Sequence, residues 1–471
     1  MTTNLRSVQL LIENMNNGSL SLSSMVNSFL KAINEENPTL NAIITQRPET
    51  EIQTDLKVSE ARVRENKKRS PLEGFPIAIK DLEDTKGIVT TSGSPIFHEN
   101  IPQKDSLMVR NLRKAGCLII GKTNVPEFGI GSQTYNTIFG PTRNPFDHGL
   151  TAGGSSGGAA AAVSAGMLPF ADGSDMMGSL RNPSAFCSVF GFRPSPGLIP
   201  SAANLSGLPP LSTLGAIGRS TKCLSYLLDA QIGNFDGEKK TTSMFSQMIE
   251  QKPKKELRLA WLADFNGSYT YEKGVETVCR KFLERLQLKN VKIDDISLKF
   301  PASKLWESWT TLRSHHLRVD LENHYLNQET KAKLKPEIIW EIEKGKSLNE
   351  EVIGKALSYR IDWITFLQSF FDEYDFFLLP SAQVFPFSAK KPYPTEIEGI
   401  KMDTYHRWME VVIPASLAGL PTISMPCGYN ADGLPMGIQL TGGFKADLKL
   451  LATAHFFEKL SNNSFKTEIH P

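Results

Sequence analysis

Two turns rich in glycine and serine lie close together and carry the hydroxyls best suited to chemistry. The first is Gly153-Gly154-Ser155-Ser156-Gly157-Gly158, followed by four alanines, Ala159 to Ala162. The second is Gly173-Ser174-Asp175-Met176-Met177-Gly178-Ser179-Leu180-Arg181. The alanines favour a helix, and the glycines before them would leave its first N–H groups bare, a start suited to an anion or to charge that develops in a reaction. The second cluster reads as a tight turn presenting Ser179. A serine is a weak nucleophile until a base takes its proton, and Lys80 is the first candidate base. It ends the apolar run Phe75-Pro76-Ile77-Ala78-Ile79 and is followed by Asp81, Glu83 and Asp84. Paired with one of those carboxylates, it would be an ordinary lysine at a strand end. Desolvated instead, its charged form is disfavoured and its pKa falls. Bringing it from ~10.4 to about 7 takes roughly 4–5 kcal/mol, within the reach of burial, and a neutral amine can accept a hydroxyl proton.

Other chemistries fit less well. Gly154-Ser155-Ser156-Gly157-Gly158 matches the short Gly-x-Ser-x-Gly pattern, which would make Ser156 the nucleophile. That pattern needs a strand before it, and residues 147–152 do not read as one. It also needs a histidine in a polar turn, and His315, His316, His324, His406 and His455 do not sit in such turns. No Gly-Lys-Ser/Thr follows the glycines, which argues against a phosphate cradle. The five cysteines (Cys117, Cys187, Cys223, Cys279, Cys427) are scattered without metal-ligand spacing, so reduced and mostly buried thiols are expected. A formal charge of +2 supplies no electrostatic pull toward nucleic acid or an anionic membrane. With neither a signal-like start nor a long apolar run, a cytoplasmic protein is the expectation.

The elements that must position these residues alternate. Residues 5–35 read as two amphipathic helices separated by a turn and cap at Leu20–Ser24, the second ended by Asn37-Pro38. A charged helical face covers 51–68. Residues 74–80 and 117–121 read as buried strands around a helix at 106–115 that Gly116 stops, an order that points to an α/β protein. Residues 122–152 form a long loop of the sort that shapes a site. The stretch 190–210 is rich in Gly and Pro, 221–232 reads as a helix, and 236–255 as a solvated polar connection. A strand is expected at 257–262, helices over 272–290 and 303–371, a strand at 375–380, a hairpin of 421–426 with 435–440 around Asp432-Gly433, and a last helix at 448–460. Trp306, Trp309, Trp340 and Trp363 fit helix packing or a pocket wall.

The two serine turns, with Pro183-Ser184-Ala185-Phe186-Cys187 after them, resemble the signature of the amidase signature family. Gly74–Asp81, Gly121–Phe128, Asn144-Pro145-Phe146, Ala418-Gly419-Leu420-Pro421 and Leu434–Gln439 are similar to further motifs of that family. The match is weakest from about 235 to 375. The resemblance implies a single large α/β domain, a mixed central sheet covered by helices on both faces. Within 1–471 it divides as N-terminal helices (1–70), a signature core (71–234), a helix-rich outlying part (235–375) and a C-terminal sheet and helix (376–471). It implies an amide hydrolase working through an acyl-enzyme with a Ser-Ser-Lys triad. Ser179 takes the nucleophile position, Ser155 the bridging position with a cis peptide entering it, and Lys80 the base position. Backbone N–H groups of Met176, Met177, Gly178 and Ser179 would hold the oxyanion. Asp175, Arg181 and Ser156 would support the turns, and Gly131, Ser132 and Gln133 would meet substrate. The family has glycine where Met177 stands and a smaller residue where Met176 stands. Methionine is strained at 177 if that position needs a positive φ; otherwise the two side chains line the acyl pocket.

No metal and no organic cofactor is called for. The expected partner is a small-molecule amide, aryl or alkyl rather than charged, with Trp306, Trp309 or Tyr405 as further candidates for the pocket. A homodimer is left open. The alternatives are the glutaminase subunit of a tRNA-dependent amidotransferase and a catalytically silent protein of the same fold.

Overall fold

Strand Pro76–Lys80 pairs in parallel with Leu118–Thr123, which pairs antiparallel with Ile43–Gln46. Beside this three-stranded sheet stands a mixed sheet of eight strands. In spatial order these are Phe170–Asp175, Thr213–Gly218, Phe190–Arg193, Thr422–Tyr429, Pro435–Gly442, Phe376–Pro380, Arg258–Trp261 and Lys292–Asp295. Neighbours run antiparallel from the first strand to Phe376–Pro380 and parallel across the last two junctions. The computed structural model describes residues 7–202, 208–235, 244–251 and 256–461. It is a single α/β domain whose large mixed sheet is flanked by helices.

The edge strands of the two sheets face each other, and a carboxylate stands where ladder bonds would otherwise run. The backbone N–H of Lys80 donates to Asp172 Oδ1 at 2.9 Å. Both strands are apolar on their flanks and nearly wholly buried, so Lys80 lies at a dry seam between sheets. The helix Gly157–Ser164 is buried at every position. Only small side chains allow it: a Cβ on Gly158 would meet the backbone of Asn124 at 2.4 Å.

Several expectations need correction. The second helix runs through Pro38 to Leu40. Pro38 gives up one i→i−4 hydrogen bond and crowds the carbonyl one turn back, but so near the C-terminus it does not stop the helix, which Asn41 in the left-handed region ends instead. The stretch 190–210 contains the strand Phe190–Arg193, and Lys292–Asp295 forms an exposed edge strand. The region 303–371 breaks into Ala302–Leu326, Pro336–Lys346 and Glu350–Glu373, with a short turn of helix at Gln328–Lys331. The polar connection at 236–255 lies largely outside the described residues, apart from the short helix Phe245–Met248. All five cysteines are free and buried. No described helix is long and apolar enough to cross a membrane.

Candidate active site

Lys80 is fully buried, and its Nζ lies 2.9 Å from Ser155 Oγ, 2.7 Å from Ser156 Oγ and 3.0 Å from Ser174 Oγ, with the Ser174 carbonyl at 3.3 Å. No carboxylate among the described residues touches the amine. Burial brings its pKa down to about 7, against the opposing pull of Asp172, Asp175 and Glu83. Lys80 is therefore not the paired lysine of an ordinary strand end. Asp172, at the same seam, is raised to about 7 by burial, and its Oδ2 has no hydrogen-bond partner among the described residues.

The first glycine turn is held from below. The Gly154–Ser155 peptide is cis. Ser132 Oγ donates to the Gly154 carbonyl at 2.7 Å, and a Cβ on Gly154 would lie 3.0 Å from the backbone of Gln133. The helix start is not an anion site: Gly157 N–H donates to Thr134 Oγ1 and Gly158 N–H to the Asn124 carbonyl. Folding has consumed the donors that the bare sequence left free.

The second turn follows strand Phe170–Asp175 and leads into helix Arg181–Phe186. The Asp175 carboxylate organises it, accepting from Gly178 N–H at 2.9 Å and Leu180 N–H at 3.1 Å while pairing with the Arg181 guanidinium at 3.0 Å. Burial would raise this carboxyl, but Arg181 overcomes that and holds it near 2. Arg181 also donates to Gln439, Ser416 and the Val412 carbonyl, so it ties the turn to the C-terminal part of the chain. The Gly178 N–H is thus engaged and is withdrawn from the oxyanion candidates. The N–H groups of Met176, Met177 and Ser179 meet no acceptor among the described residues.

The left-handed backbone belongs to Gly178, with φ 81°, and not to Met177. Methionine at 177 is unstrained, and both methionines are anchored by the helix above them. Trp309 Nε1 donates to Met177 Sδ and Arg313 Nη1 to Met176 Sδ, each at 3.1 Å. A Cβ on Gly178 would lie 2.0 Å from Asn182 Oδ1. Gly178→Ala is expected to cost roughly 1–3 kcal/mol of stability and to cut kcat about a hundredfold by displacing the turn, which thermal unfolding and steady-state kinetics would measure.

Ser155, Ser174 and Ser179 open on one cavity together with Met176 and Met177. It is further lined by Leu82, Phe128, Ile130, Leu317 and Met409, with Gly129, Gly131, Ser212 and Arg313 completing it. No histidine lines it among the described residues, which leaves Ser156, bound to Lys80, without the partner an elbow serine needs. Of the three loop residues expected to meet substrate, only Gly131 lines the cavity. Ser132 supports Gly154, and Gln133 donates to the Ala389 carbonyl. Trp309 backs Met177, Trp306 packs at a tilt against His406, and Tyr405 sits behind Arg313; none of these three lines the cavity. Ser174, Asp172 and Arg313 were missed. Ser174 lies in the cluster that reads as a turn, Asp172 in the apolar run just before it, and Arg313 carries no local motif.

The amidase family profile matches residues 24–451. The chain belongs to the amidase family. Enzymes of this family hydrolyse amides, and this amidase is one of them. It is 29% identical over 447 residues to the acylamidase of Rhodococcus erythropolis, covering 93% of this chain and 92% of that protein. It is 30% identical over 499 residues to a glutamyl-tRNA(Gln) amidotransferase subunit from Psychrobacter sp. (strain PRwf-1), covering 98% and 97%. Its fold superposes on the crystal structure of a bacterial aryl acylamidase of the amidase signature enzymes with a TM-score of 0.87, at 23% identity over 97% of this chain and 96% of that one.

Proposed function

We propose that this amidase hydrolyses uncharged acyl amides through an acyl-enzyme on Ser179. The reading rests on one observation: a desolvated Lys80 amine 2.9 Å from Ser155 Oγ, with Ser155 and Ser179 on the same cavity. Ser179 Oγ attacks the carbonyl carbon. Its proton passes to Ser155 as Ser155 releases its own to Lys80, and the oxyanion is received by the N–H groups of Met176, Met177 and Ser179. The ammonium formed at Lys80 returns the proton through Ser155 to the departing nitrogen as the C–N bond breaks. Water then attacks the ester carbonyl by the same relay, releasing the acid and regenerating Ser179.

The wall is apolar apart from its serines and Arg313, which suits an alkyl or aryl acyl group. The similarity to the amidotransferase relative favours a second reading, a glutaminase. Against it, the one cation on the described cavity wall already pairs with Glu341 at 2.8 Å, which leaves no free charge for an amino-acid carboxylate. Ammonia release should be measured from aliphatic amides, aryl amides and glutamine. Faster turnover of the uncharged amides is expected; release from glutamine alone would favour the glutaminase.

A further inference from the structure

Helix Ala302–Leu326 brings Arg313 to the cavity wall, and a closed set of bonds balances its charge. Arg313 Nε donates to Glu341 Oε1 at 2.8 Å, Nη2 to Tyr405 Oη at 2.9 Å and Nη1 to Met176 Sδ at 3.1 Å. The Tyr405 hydroxyl donates onward to Glu341 Oε1 at 2.6 Å, and Ser314 Oγ to Oε2 at 2.5 Å. Glu341 is fully buried and Arg313 nearly so. Glu341 comes from Pro336–Lys346, which can lie this close only because residue 345 is glycine: a Cβ there would sit 2.4 Å from the Ser314 carbonyl oxygen. Two helices are thus built to deliver one carboxylate to one guanidinium at the edge of the cavity.

We propose that Glu341 sets the charge preference of the acyl cavity by neutralising Arg313. This rests on the reading that the cavity receives the acyl group of an uncharged amide. A guanidinium has five N–H groups, and the acceptor at Nη1 is a thioether, a weak one. Arg313 therefore keeps hydrogen-bonding capacity toward a neutral oxygen on the acyl chain. It offers a carboxylate no net charge, because Glu341 shares its other edge. Arg313 is the specificity residue and Glu341 the residue that positions and balances it. Buried pairs are sensitive to loss of one partner, so overall activity alone would not separate specificity from folding. The ratio between substrates does.

The test compares kcat/KM for three amides of matched acyl length: an unsubstituted alkyl amide, one ending in a carboxylate and one ending in an ammonium. Wild type is expected to favour the unsubstituted amide over both charged ones. Glu341→Gln should move the ratio toward the carboxylate amide by about tenfold or more, mainly through KM. Arg313→Gln should move it toward the ammonium amide. The double variant, again neutral, should keep the wild-type order, so the comparison survives if one single variant fails to fold. A wild-type preference for a charged amide overturns the inference, as do wild-type ratios in every variant that folds. Failure to turn over any of the uncharged amides while glutamine is hydrolysed overturns the substrate reading, and this inference with it. Neutral turnover with unmoved ratios overturns the inference alone.

Discussion

Ser179→Ala is expected to lower kcat/KM by at least ~10⁴-fold while leaving the fold intact. The hydroxyl is the only group removed, and it makes no hydrogen bond within the described residues. The turn carrying it is held by other atoms: the Asp175 carboxylate, the Arg181 guanidinium and the left-handed backbone of Gly178. Thermal unfolding of the variant should therefore match wild type within about 0.5 kcal/mol, as for substitutions away from structural features. Labelling by a fluorophosphonate should disappear with the hydroxyl. Ser155→Ala should produce a loss of similar order, because in the proposed relay the amine of Lys80 reaches Ser179 through Ser155, which it contacts and which shares the cavity with Ser179. Groups that act as a unit are not additive, so the double variant should be scarcely worse than either single one. Full labelling of Ser179→Ala would remove it from the nucleophile position. Ser156→Ala abolishing turnover while Ser155→Ala preserves it would reassign the relay.

Much of this arrangement was legible because it is local. Lys80 closes an apolar run, and that is what puts it in a dry place. The glycine at 178 marks a tight turn that no larger residue could follow, as its φ of 81° and the 2.0 Å approach of Asn182 Oδ1 to an added Cβ bear out. What could not be read depends on distant packing. Asp172 and Ser174 lie in Phe170–Asp175, whose Gly173, Ser174 and Asp175 read as a turn; pairing with Thr213–Gly218 makes it a strand. The helix start at Gly157 looked free to bind an anion only because Thr134 and Asn124, far back in a loop, could not be foreseen as its acceptors. Arg313 carries no motif, and its place on the cavity follows from how helices separated by a turn dock on one another. The division into four parts along the chain is cut across by the sheet, since Phe190–Arg193 from the core pairs with Thr422–Tyr429 from the C-terminal part.

Lys80→Met should be nearly as damaging to catalysis as loss of Ser179, about 10³-fold or more in kcat/KM, and its effect on stability should have a distinctive pH dependence. The proposed relay requires the neutral amine, so wild-type kcat/KM should rise with pH through a limb near 7, the value to which burial lowers Lys80. Asp172, raised to about 7 by its own burial, titrates in the same range. Asp172→Asn removes a charge that favours the ammonium form and should move the limb to lower pH. The same proton governs stability. Between the folded value near 7 and the ordinary lysine value of 10.5, the unfolded chain holds a proton that the folded chain has lost. Stability therefore rises with pH over that window, by about 1.4 kcal/mol per pH unit from this group. Below the window both states are protonated and the contribution levels off. In Lys80→Met this contribution vanishes, so its unfolding free energy should climb less steeply than wild type from about pH 8 to 10. Denaturant unfolding at several pH values would measure the difference. Parallel stability curves for the two proteins, or a wild-type rate limb near pH 10, would mean that the amine at 80 stays charged and cannot serve as the base.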